Sequence, residues 1–274
     1  MKKNNSVLLS LPYILWMLAF TLIPLGVVAY YTLTDPATGQ FTWGNIASLG
    51  TYLPVLWKSI GYALISAVLC LLIGYPVAYY MTRQSAACQR FLYMLVMLPM
   101  CMSFLLRTMA WVGLLQDTGI LNRLLGLVGI GPVSMIRAPG AVILGMVYNY
   151  LPYMILPLYS VILKIDHRLI EAAQDLGCNS LGVFGRVVLP LSATGIISGL
   201  TMVFVPAVST FYISQKLGNA ETILIGDVIE RQFKQGDNWN LGAALSLLLM
   251  ILVFVCTGIM NRISGTDEEG TVII

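Results

Sequence analysis

Long apolar runs separated by short polar intervals set the pattern of this chain. Six runs reach the roughly 20 residues that a membrane-spanning helix needs: about 11–33, 60–82, 91–114, 138–163, 191–213 and 241–261. The runs are continuous rather than alternating, so they predict helices and not a barrel. Pro24, Pro76, Pro99, Pro152, Pro157 and Pro206 fall inside them. The one in G-Y-P-V-A-Y-Y predicts a kink at Pro76. Breaks of this kind suit a bundle around a pathway that opens and closes. The pattern predicts an all-α membrane protein of six transmembrane helices, a single domain over 1–274.

One polar interval, 164–190, reads KIDHRLIEAAQDLGCNSLGVFGRVVLP. Apolar residues at Ile165, Leu169, Ala172, Ala173 and Leu176 have helical spacing. Asp166 is the expected N-cap and Gly177 the expected left-handed stop. Asn179 or Ser180 would cap a second short helix through Val188, and Pro190 would enter the first turn of the next span. Ala172 and Ala173 leave a thin edge that another protein could approach closely. The bland alternative is an ordinary interfacial connector.

Composition narrows the class. The 274 residues are 58% hydrophobic and 10% charged, far from a soluble average, and six spans leave no room for a separate soluble domain. A net charge of +3 implies no nucleic-acid partner. Cys70, Cys88, Cys101, Cys178 and Cys256 form no CxxC pair and read as packing residues. The first run is too long for a signal h-region and reads as a retained span. The amino terminus, 83–90, 164–190 and the tail share one side and carry eight Lys/Arg in short intervals; the other side carries six. The positive-inside rule therefore puts both termini and the 164–190 interval in the cytoplasm.

Charges and hydroxyls inside the runs are the candidate pathway groups. Arg107 lies about 16 residues into its run, roughly 24 Å across at 1.5 Å per residue, near the outer interface. It either snorkels to headgroups or faces a pathway or partner. Tyr148, Asn149, Tyr150, Tyr153 and Tyr159 put five polar-tipped side chains in the fourth run. Tyr148 and Tyr159, eleven apart, share a face. The Tyr hydroxyls want partners and the rings attract ammonium groups, so these residues line a pathway or pack helices. Gly195, Ser198 and Gly199 permit close helix contact. The outer loop 214–240 is acidic, with Glu221, Asp227, Glu230 and Asp237, and 220–233 is helix-like. Its acids would attract a cationic substrate or a docking protein, or simply be solvated. Lone His167 and the scattered acids make no catalytic constellation, and no G-x-x-x-x-G-K-[ST] occurs, so an enzyme is not expected and ATP must bind elsewhere.

The spacing E-A-A-x3-G-x9-V-x-L-P, from Glu171 to Pro190, resembles the cytoplasmic loop of permease subunits of type I ABC importers. L-I-G-Y-P-V-A-Y, Tyr150–Pro157, F-Y-I-S and I-L-I-G-D extend the resemblance over the chain, most closely to PotB-type subunits of spermidine/putrescine importers. The resemblance implies a cell-membrane permease forming half of a polyamine pathway. Its cytoplasmic coupling helix, with Glu171, Ala172, Ala173, Asp175, Gly177, Leu189 and Pro190, would dock on a separate ATPase. Arg107, Tyr148, Tyr150, Tyr153, Phe211, Tyr212, Asp227 and Glu230 would face substrate. It implies a PotC-type paralogue, two ATP-binding subunits holding ATP and Mg, and an extracytoplasmic polyamine-binding protein. The same importer class also serves metals, sulfate and amino acids. A structural or assembly protein would not need a docking loop.

Overall fold

The computed structural model describes residues 3–35, 38–129, 131–235 and 238–263. The chain is helical: α1 Lys3–Leu33, α2 Gly44–Ser48, α3 Leu53–Thr82, α4 Ala86–Met97, α5 Phe104–Leu115, α6 Ile120–Leu127 and α7 Pro139–Ile162. Then follow α8 His167–Asp175, α9 Ser180–Val183, α10 Leu189–Leu191, α11 Ala193–Val208, α12 Tyr212–Leu217, α13 Ile225–Lys234 and α14 Trp239–Ile263. Among the described residues, four stretches are long and apolar enough to cross a membrane: Leu15–Leu33, Gly44–Thr82, Pro139–Ile162 and Trp239–Arg262. Two more are bent pairs, Ala86–Cys101 with Phe104–Leu127 at 90° and Ser180–Leu191 with Ala193–Val208 at 65°. Counting each bent pair as one span gives the six expected.

The prolines mark the breaks only in part: Pro99 lies in the turn Leu98–Cys101 just before the 90° bend, whereas the others do not break their helices. Pro24, Pro76, Pro152, Pro157 and Pro206 lie inside helices that continue through them. The chain instead bends at hydroxyl residues: Met102–Ser103 is extended, Ser192 separates α10 from α11, and Ser209–Phe211 separates α11 from α12. Hydroxyls can hydrogen-bond the backbone groups that a break frees, which makes such breaks tolerable in an apolar setting. At Ser192, Oγ donates to Leu189 O at 3.0 Å and accepts from the Tyr75 hydroxyl at 2.7 Å. Helix 180–191 therefore runs through Pro190, which starts α10 and not the next span.

By contacts the chain divides into two units. The larger comprises Val55–Asp227 with Val253–Ile274. Its centre is α7 against α11, brought close by glycine. A methyl at Gly195 would come within 3.0 Å of Val161 Cβ, and one at Gly199 within 2.6 Å of Met154 Sδ. Ser198, expected on the same face, is exposed. The smaller unit comprises Met1–Pro54 with Val228–Leu252. Here Asn45 Nδ2 donates to Thr32 O and Thr34 O at 3.1 and 2.9 Å, and Asn240 Nδ2 donates to Thr34 O. These bonds pin the turn after α1, which closes through Gly39 N–H to Asp35 O at 2.9 Å, to the start of α14. Asp237 and the polar tail 264–274 lie outside the described residues.

Candidate functional site

The 164–190 interval folds as an elbow. Asp166 accepts the Arg168 N–H at 3.0 Å and starts α8. Gly177 ends it at φ +83°, with Gly177 N–H bonded to Gln174 O at 2.8 Å and Cys178 N–H to Ala173 O at 3.0 Å. This reciprocal pair of bonds is the Schellman arrangement. Asn179 then accepts the Gly182 N–H at 2.8 Å and starts the second helix. The two arms are joined by a small core of Ile170, Val183 and Val188, packed with Ala173, Cys178 and Phe184.

The buried face is not the one that apolar spacing suggests. Ile170 is 7% exposed, whereas Leu176 is 86% and Leu181 80% exposed, with Leu169 and Ala172 also outward. The stripe Leu169, Ala172, Leu176 is thus the outer surface of α8. Glu171 and Asp175 are exposed beside it, and Gly177 at its end is exposed too. An exposed apolar stripe at the tip of a polar loop marks an interaction surface. Leu176 and Leu181 are the residues that sequence reasoning missed, because outward leucines at helical spacing look like core. Leu189 and Pro190 are also exposed, in the arm leading back toward α11.

The elbow is fastened to α3. The Phe184 ring sits edge-on to Tyr75 and Tyr79, with centroids 5.4 and 5.8 Å away. With the Tyr75–Ser192 bond, this ties the elbow arm and the bend before α11 to one helix.

A second constellation lies deep in the larger unit, where Arg107, Tyr150 and Thr210 come together. Arg107 does not lie where a straight helix would put it, since the chain turns 90° between its two halves just before α5. Its side chain is 6% exposed, so it does not snorkel to a headgroup. It lies within electrostatic range of Tyr150, midway along α7. The Tyr150 hydroxyl donates to Pro206 O at 3.2 Å, beside the Thr210 hydroxyl at the α11–α12 break. Arg107 Nε and Nη1 are buried with no hydrogen-bond partner among the described residues. A buried donor left unpaired costs about 1–3 kcal/mol, and a charged one more. The first residues of α5 and α12 also meet here, with the Phe104 and Tyr212 rings 6.3 Å apart.

The other candidates scatter around this point. Tyr153 is partly exposed, its ring 6.5 Å from Tyr150. Phe211 is partly exposed in the break itself. Tyr148 packs edge-on to Trp111 of α5 at 5.4 Å, and Tyr159 donates to Gln89 Oε1 of α4 at 3.2 Å. Both thus face the same broken span, as their eleven-residue spacing predicts. Asn149 Nδ2 turns back to Gly145 O at 2.9 Å.

The outer acids have local tasks. Asp227 is 3% exposed, and its Oδ2 accepts the Leu224 N–H at 2.8 Å, the reciprocal half of a capping box at the start of α13. The Ser59 hydroxyl accepts the next N–H, of Ile225, at 2.7 Å. Glu230 pairs with Lys234 at 2.6 Å, one turn on.

With this geometry in view, comparison with known proteins is specific. Residues 71–265 match the family described as binding-protein-dependent transport system inner membrane component. The chain is 40% identical over 253 residues to the spermidine/putrescine transport system permease protein PotB of Haemophilus influenzae, covering 88% of each. It is 36% identical over 247 residues to PotB of Escherichia coli, covering 87% of this chain and 90% of that one. Its fold resembles a chain of a bacterial ABC transporter that imports the acidic polysaccharide alginate, with TM-score 0.77, 19% identity and 96% of each chain covered. A chain of the MetNI methionine transporter is similar at TM-score 0.60 and 20% identity, over 80% of this chain and 96% of that one. The EAA-bearing elbow, the two broken spans and the family match agree: the chain belongs to the inner membrane permease components of binding-protein-dependent ABC transporters.

Proposed function

We propose that this chain is the PotB-like permease of an ATP-driven polyamine importer, with both termini and the elbow in the cytoplasm. The observation that carries this is the 40% identity to a spermidine/putrescine permease over nearly the whole chain. The outward stripe of Leu169, Ala172 and Leu176, with Leu181, would seat in a groove of an ATP-binding subunit that holds ATP and Mg. Glu171 and Asp175 would add polar contacts at its edge, and Gly177 would hold the angle between the arms. Leu189 and Pro190 would lead the motion into the bend at Ser192. Closure of two such ATPase subunits would push the elbow, and Phe184 and Ser192 would pass the push to α3 and α11. A paralogous permease would supply the other half of the pathway, and an extracytoplasmic binding protein would deliver substrate. Tyr148, Tyr150, Tyr153, Phe211, Tyr212, Asp227 and Glu230 remain the pathway residues proposed on this chain.

The test is reconstitution of the complete complex in liposomes. Spermidine with its binding protein should stimulate ATP hydrolysis and drive labelled uptake, and putrescine should compete. Uptake that ignores polyamines but responds to another solute would overturn the substrate while leaving the importer class intact.

One observation favours a second reading, an anionic solute such as sulfate or an amino acid. Arg107 is a buried cation within the broken span. At about 5 Å and an effective dielectric of about 20, it would repel an ammonium group by about 3 kcal/mol. A polyamine pathway passing Arg107 requires that charge to be answered.

A further inference from the structure

We infer that the cavity at the root of the elbow binds the headgroup of an anionic phospholipid from the cytoplasmic leaflet, with Arg83 holding the phosphate. This rests on the cytoplasmic placement of the elbow proposed above. The cavity measures about 230 Å³ and lies where two spans end. Tyr79, Thr82 and Arg83 line it from the end of α3, and Ile162 and Leu163 from the end of α7. Ile165, Ile170 and Val188 close it from the elbow side. Ile170 and Val188 belong to the small core that joins the two elbow arms. An occupant here touches both span ends and the core of the elbow at once.

The walls select the ligand. Arg83 is exposed at the rim, with its guanidinium 5.0 Å from the centre of the Tyr79 ring. Its Nη2 donates to the Tyr79 hydroxyl at 2.6 Å, which leaves the phenol its own proton to give. Among the described residues no carboxylate forms an ion pair with Arg83. Asp166, next to Ile165 in the chain, accepts the Arg168 N–H at the start of α8. A guanidinium and a phenol side by side are donors for phosphate oxygens. The aliphatic side chains on the other walls would stay uncovered over a free phosphate, whereas the glycerol and upper acyl carbons of a lipid would cover them. Depth agrees. Thr82 and Ile162 are the last residues of their spans, so Arg83 stands at the level of the headgroups and not in the hydrocarbon. Leu163 is exposed at the mouth, so the cavity opens to the surface. Basic pockets between spans on the cytoplasmic side suit anionic headgroups.

The experiment places the complete complex of both permeases and the ATPase in phosphatidylcholine vesicles with a trace of photoactivatable phosphatidylglycerol. No ATP or polyamine is added. Label should appear on the peptides carrying Tyr79–Arg83 or Ile162–Ile165, and a photoactivatable phosphatidylcholine should label them less. Arg83→Gln should cut the label roughly fivefold, the loss expected for one surface cation. Arg83→Lys should keep most of it, and Tyr79→Phe should lose less than Arg83→Gln. Leu163→Trp, which narrows the mouth and keeps the charge, should also reduce it. The membrane abundance of each variant, read by immunoblot, should match the parental chain. Inorganic phosphate should not compete. The inference is overturned if Arg83→Gln labels like the parental complex, or if the phosphatidylcholine probe labels as strongly, since charge then selects nothing. It is also overturned if inorganic phosphate abolishes the label or Leu163→Trp leaves it unchanged, since the site then takes a soluble anion or none. Placement is read separately, with an impermeant thiol reagent on Leu181→Cys in whole cells. Labelling of that cysteine from outside would overturn the proposed orientation, whereas the lipid label at the span ends reports on the cavity alone.

Discussion

At the elbow, backbone demands are met from within. Asp166 and Asn179 cap the two arms, Gly177 closes the turn between them, and Ile170, Val183 and Val188 hold them together. At the Arg107 cluster the reverse holds. Arg107 leaves two nitrogens unpaired, α5 starts without a side-chain cap, and the breaks at Ser103 and Ser209–Phe211 open the helices that a straight bundle would keep closed. One region is finished in a single chain and offers a finished surface outward. The other leaves buried polar atoms without partners among the described residues. On the proposed function, the part that would receive force is the one that is internally braced.

The largest effect that would break this comparison is at the elbow surface. Exposed leucines add nothing to the fold of the chain itself, so Leu176→Glu with Leu181→Glu should leave expression and thermal stability unchanged. Interface anchors cost about 2 kcal/mol or more when truncated. The double variant should therefore recover the ATPase subunit on the order of a hundredfold less well in co-purification. Normal recovery would mean that the stripe faces something other than the ATPase. Charge reversal at Glu171 should act in the same direction but more weakly, since the polar rim of an interface contributes less than its core.

Next is the angle of the elbow. A Cβ at Gly177 would meet nothing within 4 Å, so only the backbone at φ +83° penalises a side chain. Left-handed backbone costs an L-residue about 1–2 kcal/mol, while Asn tolerates it. Gly177→Val should cut uptake roughly tenfold at normal membrane abundance, and Gly177→Asn should stay near parental. Equal loss in both would point to direct contact at that position and not to turn geometry.

Asp227 gives a sharper test of a pathway role. Asn keeps an acceptor for the Leu224 N–H, while Ala removes it and costs about 1 kcal/mol of local stability. If capping is the whole task, Asp227→Asn should preserve both melting temperature and KM for spermidine, and Asp227→Ala should lower the melting temperature. A raised KM in Asp227→Asn alone would show that its charge draws the cation.

These regions were unequally legible. Asp166, Gly177 and Asn179 act within three residues of themselves, so spacing alone located them. Pro99 marked this run for a break, but not the 90° angle or its position three residues on at Met102–Ser103, where both flanks are apolar. Nor did the run, read as a straight helix, show that Arg107 is buried. Periodicity found the stripe on α8 but not its direction: Leu176 at the surface and Leu176 in a core have the same spacing. The local bonds of the outer acids were not legible from composition: Asp227 accepts the Leu224 N–H at the start of its helix, and Glu230 pairs with Lys234 one turn on.

The smallest expected effect compares the regions directly, by removing one hydroxyl from each. In Tyr75→Phe, Ser192 still donates to Leu189 O, so the bend before α11 keeps a bond and the loss should be below about 1 kcal/mol. In Tyr150→Phe, Pro206 O can still accept from Ser209 Oγ at 3.4 Å, so the hydrogen-bond loss alone is similarly small. The difference lies in what else the hydroxyl does. Tyr150 is the polar group beside an unanswered guanidinium, and Tyr75 has no charge of that kind to face. Uptake kinetics of Tyr150→Phe should therefore be coupled to Arg107→Gln by about 0.5 kcal/mol or more in a double-mutant cycle, whereas Tyr75→Phe should be additive with it. Additivity at both positions would mean that Arg107 is fully neutralised in the assembled complex before Tyr150 contributes. That outcome would weaken the contrast between a closed elbow and an open cluster.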